Sequence, residues 1–201
     1  MRETAKRLSA VILAGGKSSR FGRDKSGLEL GGERVVERLA WTLAEFPFER
    51  FALVAAPGKT GGWPGGLAAL ADDQEGLGPI GGIATALRHL PGGILVTACD
   101  MPFISGELIE WLLGRDDAEA AAVVPRHAGG IEPLFAIYNK SLLPALEAAI
   151  GAGRYAIRSV LQGPAVRFAA LPERFDAARE FANVNTPEDH ARILEMRERS
   201  K

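Results

Sequence analysis

Residues 8–25 of the chain, LSAVILAGGKSSRFGRDK, pass from an apolar run directly into a glycine-rich and cationic segment. The first part, Leu8–Leu13, is short, mostly apolar and contains β-branched residues, a pattern that predicts a strand buried on both faces. Gly15 and Gly16 follow almost at once and end the run, because paired glycines favour a turn. The stretch therefore predicts a buried strand that opens directly into a loop.

Further along the chain, apolar runs of strand length alternate with segments of helical periodicity. The predicted strands are Leu8–Leu13, Phe51–Ala56, Leu67–Ala71, Gly93–Ala98, Ala118–Pro125, Leu134–Tyr138 and Ala165–Ala170. The predicted helices are Glu33–Phe46, Gly78–His89, Gly106–Leu113, Leu142–Ile150 and Pro187–Glu198, with Ser105 and Thr186 as N-caps. This alternation implies right-handed crossovers and predicts an α/β, Rossmann-like fold: a doubly wound, mostly parallel sheet with helices on both faces.

The composition limits the class of protein. With 201 residues, 47% of them hydrophobic, the chain can build the core of a single domain over residues 1–201. A net charge of −1 and a pI near 6.3 argue against binding to nucleic acid, which requires a clustered basic surface. Apolar runs such as Gly93–Ala98 are far shorter than the roughly 20 residues that span a bilayer. One cysteine, Cys99, excludes an internal disulfide and fits a reducing compartment, so we expect a cytoplasmic protein without membrane partners.

In doubly wound sheets the ligand lies beyond the carboxyl ends of the strands. Three segments occupy that position in the predicted fold: Ala14–Lys25, Ala71–Gly82 and Cys99–Phe103. We therefore expect the functional residues to come from these segments.

The first of these segments is suited to phosphate binding. Successive glycines allow backbone N–H groups to converge on phosphate oxygens, where a side chain would block the approach. Four cations follow within nine residues: Lys17, Arg20, Arg23 and Lys25. The segment is neither a P-loop, since Gly22 is not followed by Lys-Ser/Thr, nor a dinucleotide fingerprint, which needs Gly-x-Gly-x-x-Gly. It predicts a nucleoside triphosphate site, and the alternative is an ordinary strand and turn with solvated charges.

Asp100 is the strongest candidate for a metal ligand. It ends the predicted strand Gly93–Ala98 and is followed by Pro102, which fixes the turn. A triphosphate normally binds as its Mg²⁺ complex, and Mg²⁺ needs few carboxylates besides phosphate oxygens and water. The alternative is that Asp100 only caps the turn. Cys99 beside it is interpreted as a core residue.

The string LAGGKSSRFGRDK resembles the N-terminal signature of the molybdenum cofactor guanylyltransferases, which belong to the nucleotidyltransferase fold of sugar-nucleotide pyrophosphorylases. That family shows Leu-Ala-Gly-Gly-x-x-x-Arg-Met-Gly-x-Asp-Lys, so Phe21 replaces a methionine here. The resemblance covers about residues 8–194 and extends to the segments Gly78–Ile83, Cys99–Phe103 and Glu132–Leu134 with Tyr138, and to Asn183–Asp189. It departs at Ala55-Ala56-Pro57, where the family often has an asparagine that contacts the base.

The resemblance implies a set of roles. It implies nucleotide contacts from the backbone of Leu13 and Ala14 and from Gly15, Gly16, Lys25, Asp72, Gly78 and Asp100. It implies catalysis by Lys25, Arg20 and Asp100, with Asp100 as the Mg²⁺ ligand, and an acceptor site that includes Glu132, Asn183 and Asn185. Both acids follow the same weak strand; Asp72 fits the family's usual spacing better, and Asp73 is the reserve. Capping and surface solvation are the alternatives for the acceptor residues, and solvation is the alternative for the two acids.

The reaction implied by the resemblance is transfer of GMP from GTP to the molybdenum-molybdopterin cofactor. The products are molybdopterin guanine dinucleotide and pyrophosphate. The resemblance also allows transient contacts with other proteins of molybdenum cofactor biosynthesis or with client enzymes. The alternatives are a cytidylyltransferase for the same acceptor, another small nucleotidyltransferase, and a non-catalytic protein that carries the finished cofactor. Gly15 favours guanine, because the cytidyl relatives usually have Leu-Ala-Ala-Gly at this point.

Overall fold

The structure, a computed structural model, describes residues 2–14, 29–58 and 68–198. Its described strands form one eight-stranded sheet and a two-stranded hairpin. The strands of the sheet are β1 (Leu8–Leu13), β4 (Arg50–Ala55), β5 (Ala68–Ala71), β6 (Gly93–Ala98), β7 (Ala122–His127), β8 (Gly130–Ile131), β9 (Phe135–Tyr138) and β10 (Val166–Ala170). The hairpin consists of β2 (Glu29–Leu30) and β3 (Glu33–Arg34).

The strand order is β10-β7-β9-β6-β1-β4-β5, with β8 paired to β7. Neighbours are parallel except where β9 lies between β6 and β7, and where β8 turns back on β7. All six residues of β1 are buried, as are all six of β6, because each of these strands has neighbours on both sides and helices above and below. The predicted mostly parallel sheet is confirmed.

Helices cover both faces of the sheet, as the alternation of elements predicted. They are α1 (Arg2–Ala5), α2 (Val35–Ala44), α3 (Pro79–His89), α4 (Gly106–Leu113), α5 (Leu143–Gly151), α6 (Ala177–Glu180) and α7 (Pro187–Glu198). One core contains residues of α2, α4 and α7, and the other contains residues of α3 and α5. Within β1, Ile12 belongs to the first core and Val11 to the second, as expected for alternating side chains of a strand.

The ends of several elements differ from the prediction. The predicted strand Ala118–Pro125 begins only at Ala122, because residues 118–121 form a turn. The predicted helix Glu33–Phe46 starts at Val35, because Glu33 and Arg34 pair with the β2 strand. The N-caps are confirmed: the Leu108 N–H donates to the Ser105 hydroxyl at 3.2 Å, and the Asp189 N–H donates to the Thr186 hydroxyl at 3.1 Å. Among the described residues, no helix has the length and apolar character needed to cross a membrane.

Helix α7 holds the β2–β3 hairpin. His190 Nε2 donates to the backbone oxygen of Glu29 at 2.8 Å, and the Arg197 guanidinium donates to that of Leu30. Arg197 also lies 3.8 Å from a carboxylate oxygen of Glu33. Helix α7 therefore holds in place the hairpin of residues 29–34, which leads directly into α2.

Gly92 makes the tight turn between α3 and β6. Its φ is +62°, in the left-handed region that side chains rarely adopt. A Cβ on this residue would lie 2.2 Å from the backbone oxygen of Arg7, just before β1. Because both obstacles involve backbone, neither can be relieved by a change of rotamer.

Gly92→Ala is expected to destabilise the protein by more than about 2 kcal/mol, through the positive φ and the clash with Arg7. Equilibrium unfolding in denaturant measures this loss. The matched control is Gly151→Ala at the end of α5, where an added Cβ meets nothing within 4 Å. There the substitution should be neutral or stabilise by up to about 1 kcal/mol. Equal effects at the two positions would contradict the strain at Gly92.

Candidate active site

The carboxyl ends of β5, β4, β1 and β6 lie side by side and form one edge of the sheet. Backbone hydrogen bonds continue past the strand ends: Ala14 N–H donates to Val54 at 2.8 Å and Cys99 N–H to Leu13 at 3.0 Å. Asp72 N–H donates to Ala55 at 2.8 Å. The order of strands reverses at β1, since the chain moves outward to β4 and β5 and then returns to β6 on the other side. This reversal is where doubly wound sheets open a crevice for a ligand.

Asp100 lies at this crevice. It follows the end of β6 in a turn closed by the Met101 N–H to the Ala98 oxygen at 3.2 Å, and its Oδ1 is buried. The backbone oxygen of Asp100 accepts a hydrogen bond of 3.0 Å from the Val184 N–H. Asp100 thus connects the end of the central strand to the segment between α6 and α7. Cys99 beside it is 4% exposed, which confirms its place in the core.

Asp72 is fixed at the same edge by helix α3. The Thr85 hydroxyl donates to Asp72 Oδ1 at 2.9 Å, and the Gln74 N–H donates to the same oxygen at 3.3 Å. A Cβ on Gly81 would stand 3.4 Å from Asp72 Oδ2 and 3.5 Å from Oδ1, so the carboxylate lies close against the first turn of α3. The Asp72 side chain is therefore oriented by the protein.

Asp73 has different surroundings. Its carboxylate forms an ion pair with Arg88 and accepts a hydrogen bond of 2.9 Å from His89, both at the far end of α3. Burial alone would raise the pKa of Asp73, but the hydrogen bonds and charges of His89 and Arg88 outweigh it and hold that pKa below its ordinary value. Arg88 is also paired with Glu147 at 2.8 Å. Asp73 thus serves a surface ion-pair network that ties α3 to α5.

The start of α3 approaches the edge through glycines. Gly78 precedes the helix with φ +71°, and Pro79 occupies its first turn. A Cβ on Gly82 would stand 3.0 Å from Leu13 Cδ2, so the small residue lets α3 lie close against the end of β1. A helix N-terminus carries free N–H groups and a partial positive charge, which favour anions. Helix α3, which follows the predicted nucleotide contact Gly78, thus packs against Leu13, another predicted contact.

The predicted acceptor residues lie around the same edge from the other half of the sheet. Glu132 precedes β9, which begins opposite the end of β6, since Phe135 pairs with Thr97. Its carboxylate accepts a hydrogen bond of 2.8 Å from His127 Nε2. Asn183 has a buried Oδ1 that finds no hydrogen-bond partner among the described residues. Asn185 is exposed, and its N–H donates to Asp189 at 3.1 Å in the cap of α7.

The remaining predicted site residues, Gly15, Gly16, Arg20 and Lys25, lie outside the described residues. Within the described parts of the chain, no group of three or more His, Cys, Asp or Glu could hold a metal ion. Any cation held by Asp100 would therefore draw most of its ligands from a substrate or from water.

Two side chains with evident roles were missed by the sequence analysis. Thr85 bridges the acidic pair, since its hydroxyl donates to Asp72 and accepts the Asp73 N–H at 3.1 Å. His127 was assigned no role, but it holds Glu132. Thr85 lies within α3 whereas the two aspartates precede it, and His127 and Glu132 lie on opposite sides of a hairpin turn. A single sequence shows no periodic signal for such contacts.

Glu180 is a buried carboxylate next to the site. It is 7% exposed and accepts a hydrogen bond from the Ser105 hydroxyl at 3.5 Å, while its Oε2 has no hydrogen-bond partner among the described residues. Burial raises the pKa of Glu180, the negative charge of Glu107 adds to this, and Ser105 and Arg179 counteract it only in part.

The fold and the site define an α/β protein with carboxylates on both sides of a strand-order reversal, at the carboxyl edge of a doubly wound sheet. Comparison with known proteins agrees with this class. The MobA-like NTP transferase domain family matches residues 10–170. The chain belongs to that family and is a nucleotidyltransferase.

Named relatives are similar over nearly their whole length. A probable molybdenum cofactor guanylyltransferase from Pelotomaculum thermopropionicum is 35% identical, over 96% of this chain and 95% of the relative. The molybdenum cofactor guanylyltransferase of Rhodobacter capsulatus is 35% identical, over 92% and 94%. Among solved structures, molybdopterin-guanine dinucleotide biosynthesis protein A from Archaeoglobus fulgidus has a TM-score of 0.82 at 30% identity, over 96% of this chain and 100% of that one.

Glu180→Gln is expected to raise the thermal midpoint near neutral pH and to have no effect in acid. Because the pKa of Glu180 is higher in the native than in the unfolded state, its contribution to the free energy of unfolding is fully present below about pH 4.5. This contribution is lost as the pH rises through the native pKa. The amide cannot ionise and escapes this loss. Scanning calorimetry at about pH 3.5 and about pH 7.5 measures the difference, with the exposed Glu119→Gln as control. A midpoint at neutral pH equal to or below that of the wild type would refute the assignment.

Proposed function

We propose that the protein transfers GMP from GTP to the molybdenum-molybdopterin cofactor, giving molybdopterin guanine dinucleotide and pyrophosphate. The observation that carries the proposal is the hydrogen bond from the Val184 N–H to the Asp100 oxygen. It brings Asn183 and Asn185, the predicted acceptor residues, to Asp100, two residues past the end of β6. Nucleotide and acceptor sites that share one edge are what a transfer between two bound substrates requires. The full-length similarity to molybdenum cofactor guanylyltransferases supports the same substrates.

The N-terminal half of a single domain would bind the nucleotide. The backbone of Leu13 and Ala14, which is fixed to β6 and β4 by hydrogen bonds, leads into the glycine-rich segment. Gly15 and Gly16 would bind phosphate through their N–H groups, and Lys25 and Arg20 would neutralise the charge that develops on the leaving pyrophosphate. Gly78, at the start of α3, adds a second N–H-rich site for the anion.

The reaction itself asks little covalent chemistry of the protein. A phosphate oxygen of the acceptor attacks the α-phosphorus of GTP in line, the bond from that phosphorus to the bridging oxygen breaks, and pyrophosphate leaves. Reactions of this type depend on positioning and charge stabilisation. The rigid edge formed by β1, β4 and β6 holds the nucleotide, while the segment from Phe181 to Asn185 and the loop at Glu132 orient the acceptor.

The residues at the edge fit a Mg²⁺ ion that arrives with the triphosphate. Asp100 offers a carboxylate with a buried oxygen, and the described residues provide no further cluster of ligands. Mg²⁺ is commonly held by one or two carboxylates together with substrate phosphates and water, so a single aspartate is sufficient. When bound, the ion would supply positive charge to the phosphates; Asp100 would fix its position relative to β6.

Guanine selection is assigned to Asp72. A carboxylate has about four lone-pair positions, and Thr85 and Gln74 occupy two of them on Oδ1. The other oxygen, Oδ2, can accept hydrogen bonds from the N1–H and N2–H₂ edge of guanine. Asp73 is less suitable, because Arg88 and His89 already hold it. With Ala55-Ala56-Pro57 in place of the usual asparagine, discrimination would depend more strongly on Asp72.

The first test measures pyrophosphate release from GTP with molybdenum-molybdopterin and Mg²⁺. Asp100→Ala is expected to reduce turnover at least roughly 100-fold while the thermal midpoint stays near that of the wild type, because a metal ligand is lost but no core packing. Release within about threefold of the wild type would mean a barrier change under about 1 kcal/mol, too small for a metal ligand. A wild type that binds GTP and the acceptor without releasing pyrophosphate would instead indicate the non-catalytic carrier.

The second test compares kcat/KM for GTP and CTP. Asp72→Ala is expected to lower the GTP preference at least roughly tenfold. In the wild type, a base without two adjacent donors leaves the carboxylate without hydrogen bonds, and removing the carboxylate removes this penalty. Asp73→Ala is the matched control and should leave the ratio unchanged. If the ratio of kcat/KM for GTP to that for CTP falls only in Asp73→Ala, the guanine contact is Asp73. A wild type that prefers CTP would favour the cytidylyltransferase.

A further inference from the structure

His127 holds Glu132 in a defined arrangement at the acceptor side of the edge. The two side chains are 16% and 20% exposed, and His127 Nε2 lies 2.8 Å from Glu132 Oε1. The backbone of Glu132 is fixed as well, since its N–H donates to the Pro125 oxygen of β7 at 3.0 Å. Glu132 is thus held at both its backbone and its carboxylate.

The tautomer of His127 follows from its second hydrogen bond. The Gly129 N–H donates to His127 Nδ1 at 3.1 Å, so this nitrogen must be an acceptor. In the neutral ring the proton then resides on Nε2, which donates to the carboxylate of Glu132. A Cβ on Gly129 would lie 2.9 Å from His127 Cε1, so a glycine permits this close contact.

The ring plane is fixed by aromatic packing. His127 stacks on Phe181 with centroids 5.5 Å apart and an interplanar angle of 25°, and Phe181 in turn packs against Phe135 at 5.9 Å. Phe181 is 7% exposed and lies two residues before Asn183. The imidazole therefore has its tautomer, its plane and its direction determined by three separate contacts.

We propose that His127 is a positioning residue that orients Glu132 toward the N–H edge of the acceptor's heterocycle. One carboxylate oxygen is engaged by His127, and the other can accept from an amide or amino N–H, the donors that a pterin ring presents. Phe181 links this pair to Asn183, whose buried Oδ1 is a second acceptor without a partner among the described residues. The inference rests on the proposed function, because it takes the acceptor to be a pterin.

The experiment varies molybdenum-molybdopterin at saturating GTP in the wild type, His127→Ala, His127→Gln, Glu132→Ala and the double variant His127→Ala/Glu132→Ala. Loss of a hydrogen bond to a charged group is expected to raise the acceptor KM roughly tenfold in either alanine variant, with the GTP KM within about twofold of the wild type. His127→Gln, which keeps an N–H donor, should recover most of the loss. The double variant should be no worse than Glu132→Ala alone, because the two residues act as one unit.

The matched control is His89→Ala, which breaks an exposed histidine–carboxylate pair with Asp73 and should leave the acceptor KM unchanged. If the two substitutions raise the acceptor KM by factors that multiply in the double variant, or if the GTP KM rises as much as the acceptor KM, the role of His127 is purely structural and the inference is overturned. ¹⁵N NMR of the free protein reports the His127 tautomer independently of activity, and a proton on Nδ1 would also overturn it. If the wild type shows the expected tautomer but no turnover with this acceptor, the proposed function fails, and the acceptor role of the pair fails with it.

Discussion

The pairing of β1 with parallel neighbours on both sides is the constraint on which the rest of the structure depends. It buries all six residues of β1 and extends beyond the strand end, through Ala14 to Val54 and through Cys99 to Leu13. These bonds fix the level at which β4, β1 and β6 end, and so place Ala14 and Cys99, the residue before Asp100, at the same edge of the sheet. The geometry of the candidate site is a direct consequence of this register.

The edge gathers carboxylates, and the surroundings of each decide what it can do. Asp73 is neutralised by two partners on α3 and contributes to the surface. Glu180 is buried, so its charge is a cost to the fold. Asp72 and Glu132 each accept a side-chain hydrogen bond on one oxygen, from Thr85 and from His127, and this leaves the second oxygen of each carboxylate for the ligand contacts proposed above. Similar residue types thus differ in their possible roles through their hydrogen-bond partners.

Much of the fold could be predicted from the sequence because buried parallel strands are short apolar runs, and β1 and β6 have the predicted bounds. Elements of two to four residues, such as the β2–β3 hairpin and α6, were missed because they are too short for a periodic pattern. The rule that ligands bind at the carboxyl edge selected the segments that contain Asp72 and Asp100, and the structure has both residues just beyond the ends of their strands. The sequence does not distinguish Asp72 from Asp73, because it does not reveal that the Thr85 hydroxyl of α3 binds the Asp72 side chain. It also does not reveal the position of His127, because the ring plane depends on stacking against Phe181.

The central position of β1 also bears on how the chain is made. Leu8 leaves the ribosome before its partner in β6, Gly93, has been made. At about 5–20 residues per second, an interval on the order of ten seconds separates the two. During that time one side of an apolar strand lacks its neighbour, and such unpaired strands are prone to aggregation. Contacts between residues so far apart in the sequence also slow folding, because the entropy of closing the intervening loop is lost before strand pairing stabilises the chain. The same strand that organises the finished sheet is therefore open to incorrect pairing during synthesis.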